Sequence, residues 1–167
     1  MSSVTAPSAT TAYSCRVRIT AKVDYAVRAM TEMGVAPGGL IKGDAIANNQ
    51  GIPVKFLENI LADLRRAGLV ASQRGAEGGY RLARPADAIT VADIIRAVEG
   101  PLADVHGTPP EEVAYRGPAA HLQPVWVATR GALRSILEHV TVADIVAGRL
   151  PRAAEAFVAD PDAWVRR

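Results

Sequence analysis

A helix-turn-helix pattern followed directly by a glycine-rich hairpin constrains the fold more than any other feature of this chain. One helix is predicted between Pro53, which opens it, and Gly68, which ends it. Its apolar stripe at the i, i+3, i+4, i+7 spacing consists of Leu57, Ile60, Leu61 and Leu64. A shorter helix is predicted from Lys42 to Asn48, and the turn Asn48-Asn49-Gln50-Gly51 separates the two. Two helices joined by a tight turn that contains glycine form a helix-turn-helix.

The next segment predicts a wing. Leu69–Ser72 and Tyr80–Leu82 have the composition of two short strands, and the turn Gly75-Ala76-Glu77-Gly78-Gly79 joins them. These glycines could instead cradle a nucleotide phosphate, but such loops run from a strand into a helix, and here a strand follows. Arg74 stands beside glycines that allow close backbone approach, so it is predicted to reach a minor groove or a phosphate.

Further helices flank this unit. The first is predicted from about Thr20 to Met33, where Gly34 stops it. Another begins at the cap Thr90 and ends at Gly100, and the segment from Leu102 to Gln123 has no periodicity.

Helical patterning resumes from Gln123 to Val140. Its three-four stripe consists of Trp126, Leu133, Ile136 and Val140. We predict that this stripe forms a dimer interface, although it could pack on its own domain. Thr141-Val142-Ala143-Asp144-Ile145 then repeats the capped start that begins at Thr90.

The predicted fold class is mainly α: a winged helix-turn-helix domain with a two-stranded wing and a long C-terminal dimerisation helix. The predicted parts are a disordered arm (1–16), the DNA-binding domain (17–100), a sensory or connecting loop (101–123), dimerisation helices (124–148) and a C-terminal tail (149–167).

Charge is divided unevenly along the chain. Residues 16–84 contain 11 Lys and Arg against 6 Asp and Glu, a balance of +5, whereas residues 85–167 contain 8 against 11, a balance of −3. A basic half is expected to face a polyanion. The pattern therefore favours DNA as a partner, while an acidic protein bound by the same cations is the alternative.

Several classes of protein are disfavoured. The chain has no apolar run of the roughly 18 residues that a membrane helix needs, and its start lacks the pattern of a secretory signal, so a cytoplasmic location is expected. No nucleophile with a base, carboxylate pair or metal cage occurs at a diagnostic spacing, so the chain is not expected to be an enzyme. Cys15 is the single cysteine of the chain, and one thiolate cannot form a metal site that needs several cysteine ligands.

Longer motifs resemble the Rrf2 (Rrf-two) family of bacterial winged-helix transcriptional regulators. They are Arg18-Ile19-Thr20-Ala21-Lys22-Val23-Asp24-Tyr25-Ala26-Val27-Arg28-Ala29, Gly51-Ile52 to Leu57-Glu58, Leu64-Arg65-Arg66-Ala67-Gly68-Leu69-Val70, and Arg74-Gly75 to Gly78-Gly79-Tyr80-Arg81-Leu82-Ala83. Asp93-Ile94-Ile95-Arg96-Ala97-Val98-Glu99-Gly100 and the repeat at Thr141 extend the likeness, which covers about 17–148.

The resemblance implies a homodimeric repressor that binds a partly palindromic operator of double-stranded DNA, with one helix in the major groove and the wing in the minor groove. Lys55, Glu58 and Asn59 would contact bases or line the groove, and Arg74 would enter the minor groove. An Asn can pair with adenine and a Glu can accept from cytosine, although Glu58 could instead be a helix salt-bridge partner. Phosphate contacts are predicted for Arg65, Arg66 and Arg81.

Family members usually begin at the position of Val17, so we expect that residues 1–16 arise from an upstream translation start and are not part of the native protein. Peptides from this segment in the native protein would refute that expectation.

The segment after the fourth helix departs from the family pattern. Members that bind an iron–sulfur cluster carry three cysteines there, because thiolates are the ligands that the cluster requires, and Pro101–Pro124 contains none. We therefore predict no iron–sulfur cluster and no other cofactor. His106, His121, Glu111 and Glu112 are metal-ligating types, but their spacing matches no known site, and a solvated loop is the preferred interpretation. Such a regulator would respond to a small molecule, respond to a partner protein, or repress without a ligand. This loop and Trp126 are the expected location of an effector.

Overall fold

The computed structural model describes residues 19–36 and 38–165, and within them the fold is mainly helical with one two-stranded antiparallel sheet, as predicted. The elements in chain order are α1 (Ala21–Val35), α2 (Gly43–Gln50), α3 (Val54–Arg66), β1 (Val70–Gln73), β2 (Gly79–Leu82), α4 (Val91–Glu99), α5 (Gln123–Leu137), α6 (Val142–Ala147) and α7 (Arg152–Val158). The predicted arm 1–16, Cys15 and the proposed start at Val17 lie outside the described residues.

Helix α1 is longer than predicted. The hydroxyl of Thr20 caps it by accepting from the Val23 N–H at 3.2 Å, but the helix continues through Gly34 to Val35. Gly34 is buried, and a Cβ built there would lie 2.9 Å from Cγ1 of Val142 in α6. The missing side chain therefore serves helix packing and does not end the helix, so the predicted stop at Gly34 was wrong.

The turn between α2 and α3 is shorter than the sequence indicated. Helix α2 runs to Gln50, and only then does Gly51 adopt the left-handed conformation (φ 61°). The side chains of Asn49 and Gln50 donate to the Glu32 carboxylate of α1, at 3.2 and 2.5 Å. These bonds fix the last turn of α2 against α1, a tertiary effect that local propensity does not report.

The wing is an antiparallel hairpin in which Val70 pairs with Leu82 and Gln73 pairs with Gly79. Ile41, just before α2, adds a short bridge on the other edge of β2, where its N–H donates to the Tyr80 carbonyl at 2.9 Å. A Cβ at Gly79 would lie 2.6 Å from the Ile41 carbonyl oxygen. Glycine is therefore required for the wing to pair with the segment before α2.

The core lies beneath α3, and the later helices close it. Fully buried side chains from α1, α2, α3 and α4 meet there, among them Met30, Ile46, Leu64 and Ile94. Helices α4 and α6 start side by side, because the Val91 N–H donates to the Val140 carbonyl and the Val142 N–H donates to the Ile89 carbonyl, both at 2.9 Å. The capping boxes predicted from the repeated motif are present at both starts.

The segment between α4 and α5 contains a bridge between Val105 and Thr108 and two short 3₁₀ turns, Pro110–Glu112 and Gly117–His121. Helix α5 ends at Leu137, three residues before the predicted end, and α6 follows after a brief turn. In the part of the chain that the structure describes, no helix is both long and apolar enough to cross a membrane.

Candidate nucleic-acid interface

Helix α3 presents a polar face directly opposite its buried stripe. Lys55, Asn59 and Arg66 are all exposed, and with the small Ala62 they follow the i, i+4, i+7, i+11 spacing of one helix face. The stripe on the other side, from Leu57 to Leu64, is at most 2% exposed. The helix is therefore held by one face and leaves donors of different length on the other, as a helix that enters a major groove must do.

A second set of α3 side chains flanks the wing. Arg65 lies away from the centre of the outward face, where its Nη1 donates to the Ser72 hydroxyl of β1 at 3.3 Å. Glu58 lies about two helical turns earlier on the same flank and is exposed. The bond from Arg65 orients its guanidinium toward the wing and uses one of its five donors, which leaves the others for an anion.

The third flank of α3 fixes the helix to α1. Asp63 accepts from Lys22 of α1 at 2.8 Å and from Arg66 at 2.9 Å. These contacts lower the pKa of the Asp63 carboxyl, the hydrogen bond from Lys22 being the largest cause. The rings of Tyr25 and Phe56 meet edge to face, with centroids 5.7 Å apart. The outward face of α3 is thereby held at a fixed rotation about the helix axis.

A groove of about 420 Å³ lies between the wing, the start of α2 and Arg65 of α3. It is lined by three cations from three different elements, namely Lys42 at the start of α2, Arg65 of α3 and Arg74 of the wing. Lys42 was not among the side chains predicted to contact DNA. Its place immediately before the first helix of a helix-turn-helix was the available signal, since that helix crosses the DNA backbone in such motifs.

Arg74 lies at the tip of the wing and is exposed. The turn beneath it is closed by the Gly78 N–H, which donates to the Gly75 carbonyl at 2.9 Å. A Cβ at Gly78 would lie 2.3 Å from the Gln73 carbonyl oxygen, so this tight turn depends on glycine. The turn places a long cation at the end of a narrow projection.

Arg81 does not join the groove. In the hairpin register it pairs with Ala71, whereas Ser72 and Tyr80 form the neighbouring pair that faces α2 and α3. Because successive side chains of a strand point to opposite faces, Arg81 lies on the far side of the wing from Arg65. The seven side chains predicted to contact DNA are all exposed, but they occupy more than one surface.

The cations of this surface are largely unneutralised. Among residues 19–36 and 38–165, no carboxylate lies within ion-pair distance of Lys42, Lys55, Arg65, Arg74 or Arg81, and Arg66 alone of the predicted DNA contacts has an acidic partner. A polyanion that meets this face would therefore not have to displace an internal partner from most of these side chains.

The side chains predicted to form a dimer interface are partly covered within the single chain. Trp126, Leu133 and Ile136 are half-buried, and the indole Nε1 of Trp126 donates to the Tyr115 hydroxyl at 2.9 Å. Val140 is buried at 7% exposure, beyond the end of α5. The predicted stripe therefore contributes to packing in the chain's own fold, most of all at Val140.

The loop between α4 and α5 brings no metal site together. Within the described ranges, side chains of His, Cys, Asp and Glu form no group of three or more that could hold a metal ion. His106 and His121 are exposed, and Glu111 pairs with Arg130 of α5 at 2.6 Å instead of with another ligand type.

Comparison with known proteins agrees with this architecture. The Rrf2 family model, described as an iron-dependent transcriptional regulator, matches residues 19–148. An HTH-type transcriptional regulator of Mycobacterium tuberculosis is 47% identical over 136 residues, which cover 81% of this chain and 84% of that protein. The HTH-type regulator CymR of Bacillus subtilis is 36% identical over 130 residues, covering 77% of this chain and 89% of CymR.

Solved structures show the same fold. The structure of CymR, titled the global cysteine regulator of B. subtilis, superposes with a TM-score of 0.68 at 34% identity and covers 80% of this chain and 98% of CymR. The T. potens IscR structure gives a TM-score of 0.64 at 32% identity, with 89% of this chain and 97% of IscR covered. Family and fold are those of transcriptional regulators and not of enzymes.

Proposed function

The chain belongs to the Rrf2 family of DNA-binding transcriptional regulators, and we propose that it acts in the cytoplasm as a dimeric repressor without an iron–sulfur cluster. The observation that carries the proposal is the surface on which the outward face of α3 lies beside a groove lined by Lys42, Arg65 and Arg74. A helix face with mixed donors suits base edges, and unneutralised cations around it suit phosphates.

We assign the contacts by position on this surface. Lys55 and Asn59 on the outward face, with Glu58 on its flank, contact base edges or line the major groove. Arg74 enters the minor groove, while Arg65 and Arg66 contact phosphates. Arg81, on the other face of the wing, is assigned only to flanking phosphates, and Lys42 joins Arg65 as a phosphate contact in the groove.

The dimer is proposed to form through α5. No residue of α5 is buried in the single chain, and Val125, which flanks the stripe that contains Trp126, is 51% exposed. A second copy that covers this face together with Trp126, Leu133 and Ile136 would bury the remaining apolar surface. Two copies related by a twofold axis would place two α3 helices on two half-sites, and we therefore expect the operator to be partly palindromic.

The donor set does not fit an iron–sulfur cluster, although the family description mentions iron. The chain has a single cysteine, Cys15, which lies outside the described residues, while a cluster is held by several thiolates. Between α4 and α5 the side chains that converge are arginines and glutamates. The regulation that we propose for this chain therefore involves no cluster.

A genome-wide binding map with footprints on the recovered sites tests the proposal. We expect protected sites upstream of genes, with two half-sites about one helical turn apart and protection that persists against competitor DNA. If the full chain protected no site and bound an acidic protein with those same cations, the alternative interaction module would be the better account.

Sedimentation of the full chain over a concentration series tests the dimer. Val125→Glu adds a charge to an exposed position of α5 and should shift the dimer to higher concentration, whereas Val158→Glu on α7, at a comparable 42% exposure, should not. A wild-type chain that stayed monomeric while it protected its operator would contradict the dimer.

A further inference from the structure

A second groove, of about 440 Å³, lies where α4, the loop after it and α5 meet, remote from the wing groove. Three guanidinium groups line it, from Arg96 of α4 and from Arg130 and Arg134 of α5. Glu111 contributes the one carboxylate of the lining, and Pro101 and Leu102 supply apolar surface. We call this the arginine pocket, and the DNA-binding role uses none of its residues.

The arginines are held by carboxylates at the edges of the pocket. Arg130 pairs with Glu111 at 2.6 Å, and Arg134 Nε donates to Glu138 at 2.9 Å. Arg96 also donates to Glu138. Each guanidinium has five N–H donors, so these bonds orient the three groups and leave donors free to face the pocket.

We propose that the arginine pocket binds a small organic or inorganic oxyanion, a carboxylate or a phosphate, as the effector of the regulator. The volume lies in the range of pockets that hold small metabolites. A guanidinium fork matches two oxygens of a carboxylate or phosphate at once, and the lining carries three positive groups against one negative group. Glu111 limits affinity because it competes with the anion for Arg130.

The pocket joins the parts that regulation must couple. Arg96 lies on α4, which packs against α3, and its partner Glu138 follows α5. An anion that engages Arg96 and Arg134 competes with Glu138 and loosens the tie between α4 and α5. Ala103, next to Leu102, has a positive φ of 57°, which is unfavourable for alanine, so the loop that adjoins the pocket has a strained backbone. This coupling rests on the proposed function, since α5 is proposed to hold the dimer.

Direct binding without DNA tests the pocket. The full chain is titrated with inorganic phosphate, succinate and citrate at constant ionic strength, with chloride as the reference, and followed by calorimetry and thermal unfolding. We expect saturable binding and a raised Tm for at least one of the three anions. Phosphate alone would identify a phosphate effector, and succinate or citrate alone a carboxylate effector.

Two variants should change the affinity in opposite directions. Arg134→Gln removes a charged donor and should weaken binding about tenfold, and Glu111→Gln removes the competitor and should strengthen it. Arg152→Gln, exposed on α7 and outside the pocket, is the matched control and should leave the affinity unchanged. Because the two variants act oppositely, loss of folding in one does not imitate the expected result.

Footprint titrations with and without the saturating anion then test whether anion binding in the pocket changes operator affinity. We expect operator affinity to change several-fold on saturation, and this change to be lost in Arg134→Gln. Three anions indistinguishable from chloride, or equal affinities in wild type, Arg134→Gln and Glu111→Gln, would overturn the pocket. Anion binding with unchanged operator affinity would overturn the effector role. Failure of the chain to bind any operator would refute the proposed function, and the titration without DNA would still show whether the pocket binds an anion.

Discussion

The ammonium of Lys22 lies 2.8 Å from the carboxylate of Asp63, and this ion pair joins the beginning of α1 to α3. The same ammonium donates to the Val98 carbonyl of α4 at 2.6 Å. One side chain thus connects three helices, and it does so on the flank of α3 opposite the wing. The orientation of the outward face of α3, which we propose contacts DNA, therefore depends on an ion pair that lies outside that face.

Asp63→Asn should destabilise the fold and should do so most at neutral pH. The lowered pKa of Asp63 means that folding favours its ionised carboxylate. The carboxylate therefore adds to the free energy of unfolding above the ordinary pKa of an Asp, about 4, and this stabilisation is lost as the pH falls through the folded pKa. We expect a loss of about 1–2 kcal/mol near pH 7 by urea unfolding, narrowing below about pH 4.

Asp87→Asn is the control for this measurement, since Asp87 is exposed and outside the interhelical contact. A deficit for Asp63→Asn that stayed constant across the acid range would show that the ion pair with Lys22 does not contribute as the geometry implies.

Arg65→Ala should reduce the salt dependence of operator binding. Arg65 is oriented by Ser72 into the groove between α3 and the wing and has no acidic partner among the described residues, so we assign it a phosphate. Loss of one phosphate contact lowers the slope of log affinity against log salt by about 1 and weakens binding similarly on all sequences. Arg152→Ala, which removes an equal charge from exposed α7, should leave the slope unchanged. Equal slopes for Arg65→Ala and the wild type would withdraw this assignment.

Asn59→Ala should alter specificity more than general affinity. Asn59 lies at the centre of the outward face of α3, where an amide can pair with a base edge. We expect a loss of about 1–3 kcal/mol on the operator and little change on unrelated DNA, measured by competition on substituted half-sites. If the Asn59→Ala variant kept the wild-type base preference at every operator position, the base contact would be assigned to Lys55 or Glu58 instead.

The sequence predicted the elements better than their packing. Local patterns were sufficient for the helix-turn-helix, the hairpin and both capped starts, since apolar spacing and glycine turns act within one element. Gly34 was mistaken for a stop because its role is set by Val142, far along the chain. Gly79 was counted as part of a turn, whereas its essential contact is with the backbone of Ile41.

The same distinction applies to the sites. The exposed residues of α3 follow from helix periodicity, so the outward face was predictable from the sequence. The grooves were not, because Lys42 and Arg74, or Arg96 and Arg134, are brought together only by tertiary structure. Hairpin register also separated Arg81 from Arg65, which a list of basic residues treats as equivalent.

Thr141→Ala should weaken the closure of the core through a single cap. The Thr141 hydroxyl donates to Asp144 Oδ2 at 2.6 Å and accepts from the Asp144 N–H at 3.1 Å, and the pKa of the Asp144 carboxyl is lowered chiefly by the bond from that hydroxyl. Loss of an N-cap costs about 1 kcal/mol, and here the helix that it starts packs on Gly34. We expect urea unfolding to show this deficit near pH 7, and Thr141→Ser to recover most of it because serine keeps the hydroxyl. Since the folded pKa of Asp144 is lowered, the difference in free energy of unfolding between wild type and Thr141→Ala should shrink as the pH falls through that pKa. If Thr141→Ser were as unstable as Thr141→Ala, the threonine methyl group, and not the cap, would stabilise the start of α6.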